Sequence, residues 1–121
     1  MIEFIPDFPE NVMAFRLHDK ATKDDYEQVL IPAMQAGFER DAKLRVWFET
    51  APDFTGYTLG AMGEDAGLGL TYLSRWERVA VVSDADWLRR AALIFRPFMP
   101  CPLKAFHLNE ITQAKAWITA P

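Results

Sequence analysis

The sequence predicts an α/β fold: a mixed β-sheet of about five strands with four helices, in the order ββαβαβαβα, as one domain over residues 1–121. Three observations predict it. The apolar residues switch repeatedly between a period of two and a period of 3.6. A short pair of strands punctuated by Pro6 and Pro9 precedes that alternation. Half of the 121 residues are apolar and 13% are aromatic. That suits a packed core, since a chain of this size removes roughly two-thirds of its unfolded surface from water.

Each element has a local reason. Ile2 to Ile5 reads as an edge strand, because proline follows it at once. Val12 to His18 is a second strand, joined to the first through Glu10-Asn11. Val12, Ala14 and Arg16 face one way, and Met13, Phe15 and Leu17 the other. Thr22 with Asp25 three residues on is a helix-capping signal, and Asp24, Asp25 and Glu27 suit the positive end of a helix. Tyr26, Val29, Leu30, Ala33, Met34 and Phe38 then follow at helical spacing, with a kink expected at Pro32. Leu44 to Phe48 reads as a buried strand, followed by a loop over Glu49 to Tyr57.

Thr58 to Trp76 reads as a helix whose stripe Leu59, Met62, Ala66, Leu70 and Leu73 is expected in the core. Gly60, Gly63, Gly67 and Gly69 sit within it, each costing about 0.8–1 kcal/mol relative to alanine. Such a helix either packs its small-residue face closely on a neighbour or forms a weak gate over an apolar pocket. Arg78 to Ser83 is the next buried strand. Asp84 is expected to cap a helix reaching Met99, which ends before Pro97 or Pro100. Its apolar side is Trp87, Leu88, Ala91, Ile94, Phe95 and Phe98; Arg89, Arg90, Arg96 and Leu93 form the other. Leu103 to Leu108 is the last strand, and Asn109 is expected to cap a final helix carrying Ile111, Ala114, Ala116 and Trp117.

Composition excludes several function classes. Charged residues make up 25% of the chain, too few beside so many aromatics for a disordered segment. The net charge of −4, from 13 basic and 17 acidic residues, gives no basic field for nucleic acid. No apolar run approaches the ~18–20 residues needed to span a bilayer. Met1 to Phe8 carries Glu3 and Asp7, so no signal peptide is expected. The single cysteine, Cys101, suits a reducing compartment, and a cytoplasmic protein is expected. His18 and His107 are read as surface or packed histidines, and no metal or cofactor is expected.

Several segments, in order and spacing, resemble the SpoIIAA-like family of small bacterial proteins. They are Met1-Ile2-Glu3-Phe4-Ile5, Asn11-Val12, Asp25 to Ala33, Asp53-Phe54-Thr55-Gly56-Tyr57-Thr58-Leu59-Gly60-Ala61, Trp76 to Asp84, and Phe95-Arg96-Pro97-Phe98. The resemblance implies a fold related to STAS domains and similar to the Sec14/CRAL-TRIO lipid-binding fold. It implies a ligand- or partner-binding role. In STAS antagonists a hydroxyl at the start of the helix after the third strand is phosphorylated. Thr55 and Thr58 lie nearest that position here, without the Asp-Ser-Ser-Gly pattern of those antagonists.

Two readings follow. In the first, a non-enzymatic domain binds an apolar or amphiphilic, lipid-like ligand between the glycine-rich helix and the one after it. Phe54, Tyr57, Leu59, Met62, Trp87, Phe95 and Phe98 line that site. Arg89 or Arg90 meets an acidic headgroup, and contact with a membrane surface is compatible with it. In the second, the chain is a protein–protein regulatory module switched at Thr55 or Thr58. Either reading accommodates a homodimer. An enzyme is the least supported class, because no nucleophile or metal motif surrounds Cys101, His18 or His107.

Overall fold

The computed structural model describes residues 1–121, except that nothing is described of the surroundings of Gly69, Leu70 and Leu73. In chain order, β1 (Ile2–Phe4), β2 (Val12–Leu17) and β3 (Lys20–Ala21) lead into α1 (Lys23–Asp25), a π turn (Tyr26–Leu30) and α2 (Ile31–Arg40). Next come β4 (Leu44–Thr50), β5 (Gly56–Tyr57), α3 (Leu59–Thr71), β6 (Trp76–Val82) and α4 (Asp86–Phe95). The chain closes with β7 (Leu103–Phe106) and α5 (Ile111–Thr119).

The main sheet has five strands in the order β1-β2-β4-β6-β7. β1 is antiparallel to β2, with Glu3 opposite Arg16, and every later pairing is parallel. The mixed sheet after an opening hairpin is therefore as the sequence predicts, and β1 is an edge strand. β3 and β5, absent from the sequence reading, form a separate two-residue parallel ladder with Lys20 opposite Gly56.

Two apolar clusters lie on opposite faces of the sheet. Met13, Phe15 and Leu17 face Tyr26, Leu30, Met34, Phe38, Ala61, Leu68 and Ala92, which come from the π turn, α2, α3 and α4. Val12, Ala14, Trp47, Ala80 and Val82 face Ala114 and Ile118 of α5. The alternation read in residues 12–17 is thus real, each parity serving one core.

The Thr22–Asp25 capping box is formed. The Thr22 hydroxyl accepts from the Asp25 amide at 3.2 Å, and the Asp25 carboxylate accepts from the Thr22 amide at 2.9 Å. At Pro32 the chain makes a π turn before the proline rather than a plain kink. The Ile31 amide reaches back to the Tyr26 carbonyl, and Pro32 enters the first turn of α2. Proline lacks the donor for an i→i−4 bond and crowds the carbonyl below it, and a wider turn relieves both.

Five expectations are corrected. The inward side of α3 is Ala61 and Leu68, while Leu59 is 87% exposed and Met62 and Ala66 also face water. Leu70 and Leu73 of the expected stripe lie outside the described residues. Among the described glycines of α3, close packing holds only at Gly60, where an added Cβ would come within 3.0 Å of Lys23; beside Gly63 and Gly67 it would meet nothing within 4 Å, and Gly69 lies outside the described residues. The inward side of α4 is Ala92 with half-buried Leu88, so Trp87, Ile94, Phe95 and Phe98 face outward, as does Leu93. Asp84 does not cap α4, whose N-cap is Ala85; its carboxylate accepts from the Leu108 amide at 3.0 Å. The last cap is His107 with Glu110, not Asn109, because the chain enters α5 through a 3₁₀ turn over Leu108–Glu110.

The rotation of α3 is testable by equilibrium urea unfolding. Leu68→Ala is expected to cost about 2–5 kcal/mol, and Leu59→Ala no more than about 0.5 kcal/mol. Equal costs at the two sites would contradict the rotated face.

Candidate functional site

The site is built where the chain leaves β4 and turns into α3. The Thr55 amide and hydroxyl both donate to the Asp19 carbonyl, at 2.6 and 3.2 Å. Gly56 follows with φ +142°, a conformation that side chains disfavour, and Trp87 lies 3.9 Å from where its Cβ would stand. The Thr58 hydroxyl accepts from the Ala61 amide at 3.1 Å and so caps α3. Both candidate regulatory hydroxyls therefore hold local structure.

This path brings three rings together. Phe54 and Tyr57 meet edge to face at 5.5 Å, Phe54 stacks near Trp87 at 6.1 Å, and Tyr57 stands perpendicular to Trp87 at 6.2 Å. Trp87 is half exposed, while Phe54 and Tyr57 are half-buried. Of the expected lining, Leu59 and Met62 sit at the exposed start of α3. Phe95 and Phe98 do not join the rings. At about 1.5 Å per residue, Phe95 lies ~12 Å further along the helix axis than Trp87.

Tyr57 links the rings to a polar group that sequence reasoning missed. Its ring lies 6.4 Å from that of the fully buried Tyr26, whose hydroxyl donates to Asp65 Oδ1 at 2.9 Å. Burial first, then the Asp65 charge and Tyr57, push the Tyr26 hydroxyl far above the ordinary tyrosine value. Burial and Asp65 push Tyr57 upward as well, against a smaller opposing effect of Tyr26. The Asp65 carboxyl is raised by desolvation, partly offset by the Tyr26 hydrogen bond. Yet Asp65 is solvent-accessible. The available signals were Glu64-Asp65 inside an otherwise apolar helix and a tyrosine directly after a capping box.

The arginines divide. Arg89 donates to the Ser83 carbonyl at 2.6 Å and pairs with Asp86, which ties α4 to the end of β6. Arg90 is exposed. The other titratable candidates are scattered. His18 lies between Glu3 (3.3 Å) and Asp53 (3.5 Å), and the hydrogen bond from Arg16 at 2.7 Å, with His18 close by, holds the Glu3 carboxyl below its usual range. His107, beyond the far strand β7, is 3.9 Å from Asp84. Cys101 is half-buried before β7; burial raises its thiol against a smaller pull from Lys43. A strand separates Cys101 from His107, and three inter-strand steps of about 4.8 Å separate β2 from β7. The structure does not gather these groups. Among the described residues no group of three or more His, Cys, Asp or Glu could hold a metal.

Two shallow clefts are present, one of which touches the ring cluster at Phe54. One, of about 210 Å³, lies at the carboxyl ends of β4 and β6 between Thr50, Phe54, Asp84 and Leu108. The other, of about 250 Å³, lies between Phe8 and Lys115. No helix among the described residues is long and apolar enough to cross a membrane.

The family model described as SpoIIAA-like matches residues 12–119. The chain belongs to the SpoIIAA-like family. A solved structure agrees: an uncharacterized protein of the DUF3478 family with a SpoIIAA-like fold, from Shewanella loihica PV-4. It is 22% identical, and the match covers 97% of this chain and 93% of that one with a TM-score of 0.80, which shows the SpoIIAA-like fold. No curated protein matches this chain.

Desolvation of Asp65 makes stability depend on pH. As pH climbs past the ordinary aspartate value of about 3.9, the unfolded chain loses the Asp65 proton first. The folded state then binds more protons, so this group lowers stability as pH rises, until the folded carboxyl also ionises. Asp65→Asn removes the effect. In thermal melts the variant is expected to exceed the parent at about pH 7, the gap closing toward about pH 3.5. A gap that does not depend on pH would contradict the desolvated carboxyl.

Proposed function

We propose that this SpoIIAA-like domain is a non-enzymatic, cytoplasmic binding domain for an apolar or amphiphilic, lipid-like ligand, able to work at a membrane surface. One observation carries the reading. Leu59, Met62, Trp87, Phe95 and Phe98 of α3, α4 and the turn that follows α4 are about half exposed or more, and Phe98 reaches 80%. Most of the exposed large apolar side chains among the described residues fall on these elements, and such a concentration of apolar surface marks interaction sites. Covering it yields roughly 25 cal/mol per Å². The family match supports a fold of this kind and leaves the ligand to be found.

A regulatory reading is favoured by the place of Thr58 at the first turn of the 13-residue α3. A phosphate there faces the positive end of a helix. On this reading Thr58→Glu changes the set of partner proteins captured in a pull-down, with Thr55→Glu as the comparison. An unchanged set for both sinks it.

For the binding reading, native mass spectrometry of protein purified without detergent is expected to show a co-purified amphiphile. Added ligand at about 100 times its dissociation constant should stabilise the fold by about 2.7 kcal/mol. Trp87→Ala is expected to weaken binding at least ~10-fold while leaving the circular dichroism spectrum unchanged. No bound amphiphile together with no stabilisation by added lipid would contradict the proposal.

A further inference from the structure

We propose that the outward face of α4, with the 3₁₀ turn Arg96–Phe98 that follows it, docks on an anionic lipid bilayer. The inference rests on the amphiphile-binding reading and names the face that meets the membrane and the lipid charge it selects.

Charge complementarity carries it. At about 100° per residue, Trp87, Arg90, Leu93 and Ile94 share one arc of α4, opposite the buried Ala92. Trp87, Leu93, Ile94, Phe95 and Phe98 are 49–80% exposed, and Arg90 and Arg96 stand exposed among them. Asp86, in the first turn, is neutralised by Arg89, which also holds the Ser83 carbonyl. Among the described residues Arg90 and Arg96 have no carboxylate partner, and all 17 acidic residues of the chain lie outside residues 87–109. A helix face that is apolar and basic at once matches the boundary layer of an anionic bilayer. There the rings enter the acyl region while guanidinium groups meet the headgroup charges.

The same charges speak against the other occupants. A two-fold interface over this arc would bring the guanidinium groups of two copies together, and residues 87–109 supply no carboxylate to pair them. A bound peptide would need a groove, and neither of the two clefts described above includes any residue from Trp87 to Phe98. A planar bilayer needs none. The rest of the chain carries every acidic residue, so an anionic surface repels it and accepts the molecule only by this face.

The test uses the full chain and co-sedimentation with vesicles of phosphatidylcholine, alone or with about one-third phosphatidylserine. Each unpaired arginine is expected to contribute about five-fold, so the anionic vesicles should bind roughly 25-fold more tightly than the neutral ones. Added salt should shrink that preference. Arg90→Gln with Arg96→Gln should erase it, whereas Phe98→Ser should weaken binding to both vesicles. Lys104→Gln with Lys115→Gln removes the same charge on the α5 side, where the two ammonium groups lie over Trp117 and Phe8, and should leave the preference in place. Equal affinity for the two vesicles, or a preference that the lysine pair erases as fully as the arginine pair, would overturn the inference and leave the amphiphile reading standing. Absence of vesicle binding would overturn it as well. A dimer that Phe98→Ser disrupts would then give the face to a second copy, and capture on polyglutamate that requires Arg90 and Arg96 would give it to an acidic protein. No vesicle binding, no co-purified amphiphile and no stabilisation by lipid would overturn both.

Discussion

The handedness of the crossovers governs this molecule. β2, β4, β6 and β7 are parallel and are visited in one direction across the sheet. Right-handed connections then place α2, α3 and α4 together on one face. The other face is left to α5, which covers Trp47, Ala14 and Val82 with Ala114 and Ile118. Arg45 and Arg78, neighbours across β4 and β6, hold that helix by donating to the carbonyls of Ile118 and Trp117 at 2.8 Å each.

On the crowded face, α3 is the weak member. Its buried apolar side chains among the described residues are Ala61 and Leu68, and two of its glycines face open space. What ties it down is short-range and partly polar: the Thr58 cap, the close approach of Gly60 to Lys23, and the Tyr26–Asp65 hydrogen bond. A fold that needed only stability would fill that place with an apolar side chain. A carboxyl hydrogen-bonded to a buried tyrosine is a local departure of the kind that marks functional positions.

Much of this was legible in the sequence. Period-two alternation at residues 12–17 fixed which side chains served which core, and the Thr22–Asp25 spacing announced its cap. The family resemblance, carried by segments spread over the chain, agrees with the match over residues 12–119. Legibility failed where tertiary packing chose between faces. In α3 and α4 both sides carry apolar residues, so periodicity alone could not say which turned inward, and for α3 it chose the wrong side. The caps at Ala85 and His107 escaped because short 3₁₀ and strand-end geometry moved each helix start by two residues or so. Phe54, Tyr57 and Trp87 were named from the sequence and meet in space. Tyr26 was legible only as part of a helical stripe, and its pairing with Asp65 was not, because it spans 39 residues and no local pattern encodes it.

One carboxyl, accepting from the buried Tyr26, ties α3 to the π turn. The most direct test is an NMR titration of the Asp65 side-chain carbon. The predicted result is a titration above the ordinary aspartate value of about 3.9. A carboxyl that titrates at or below the ordinary value would contradict the account.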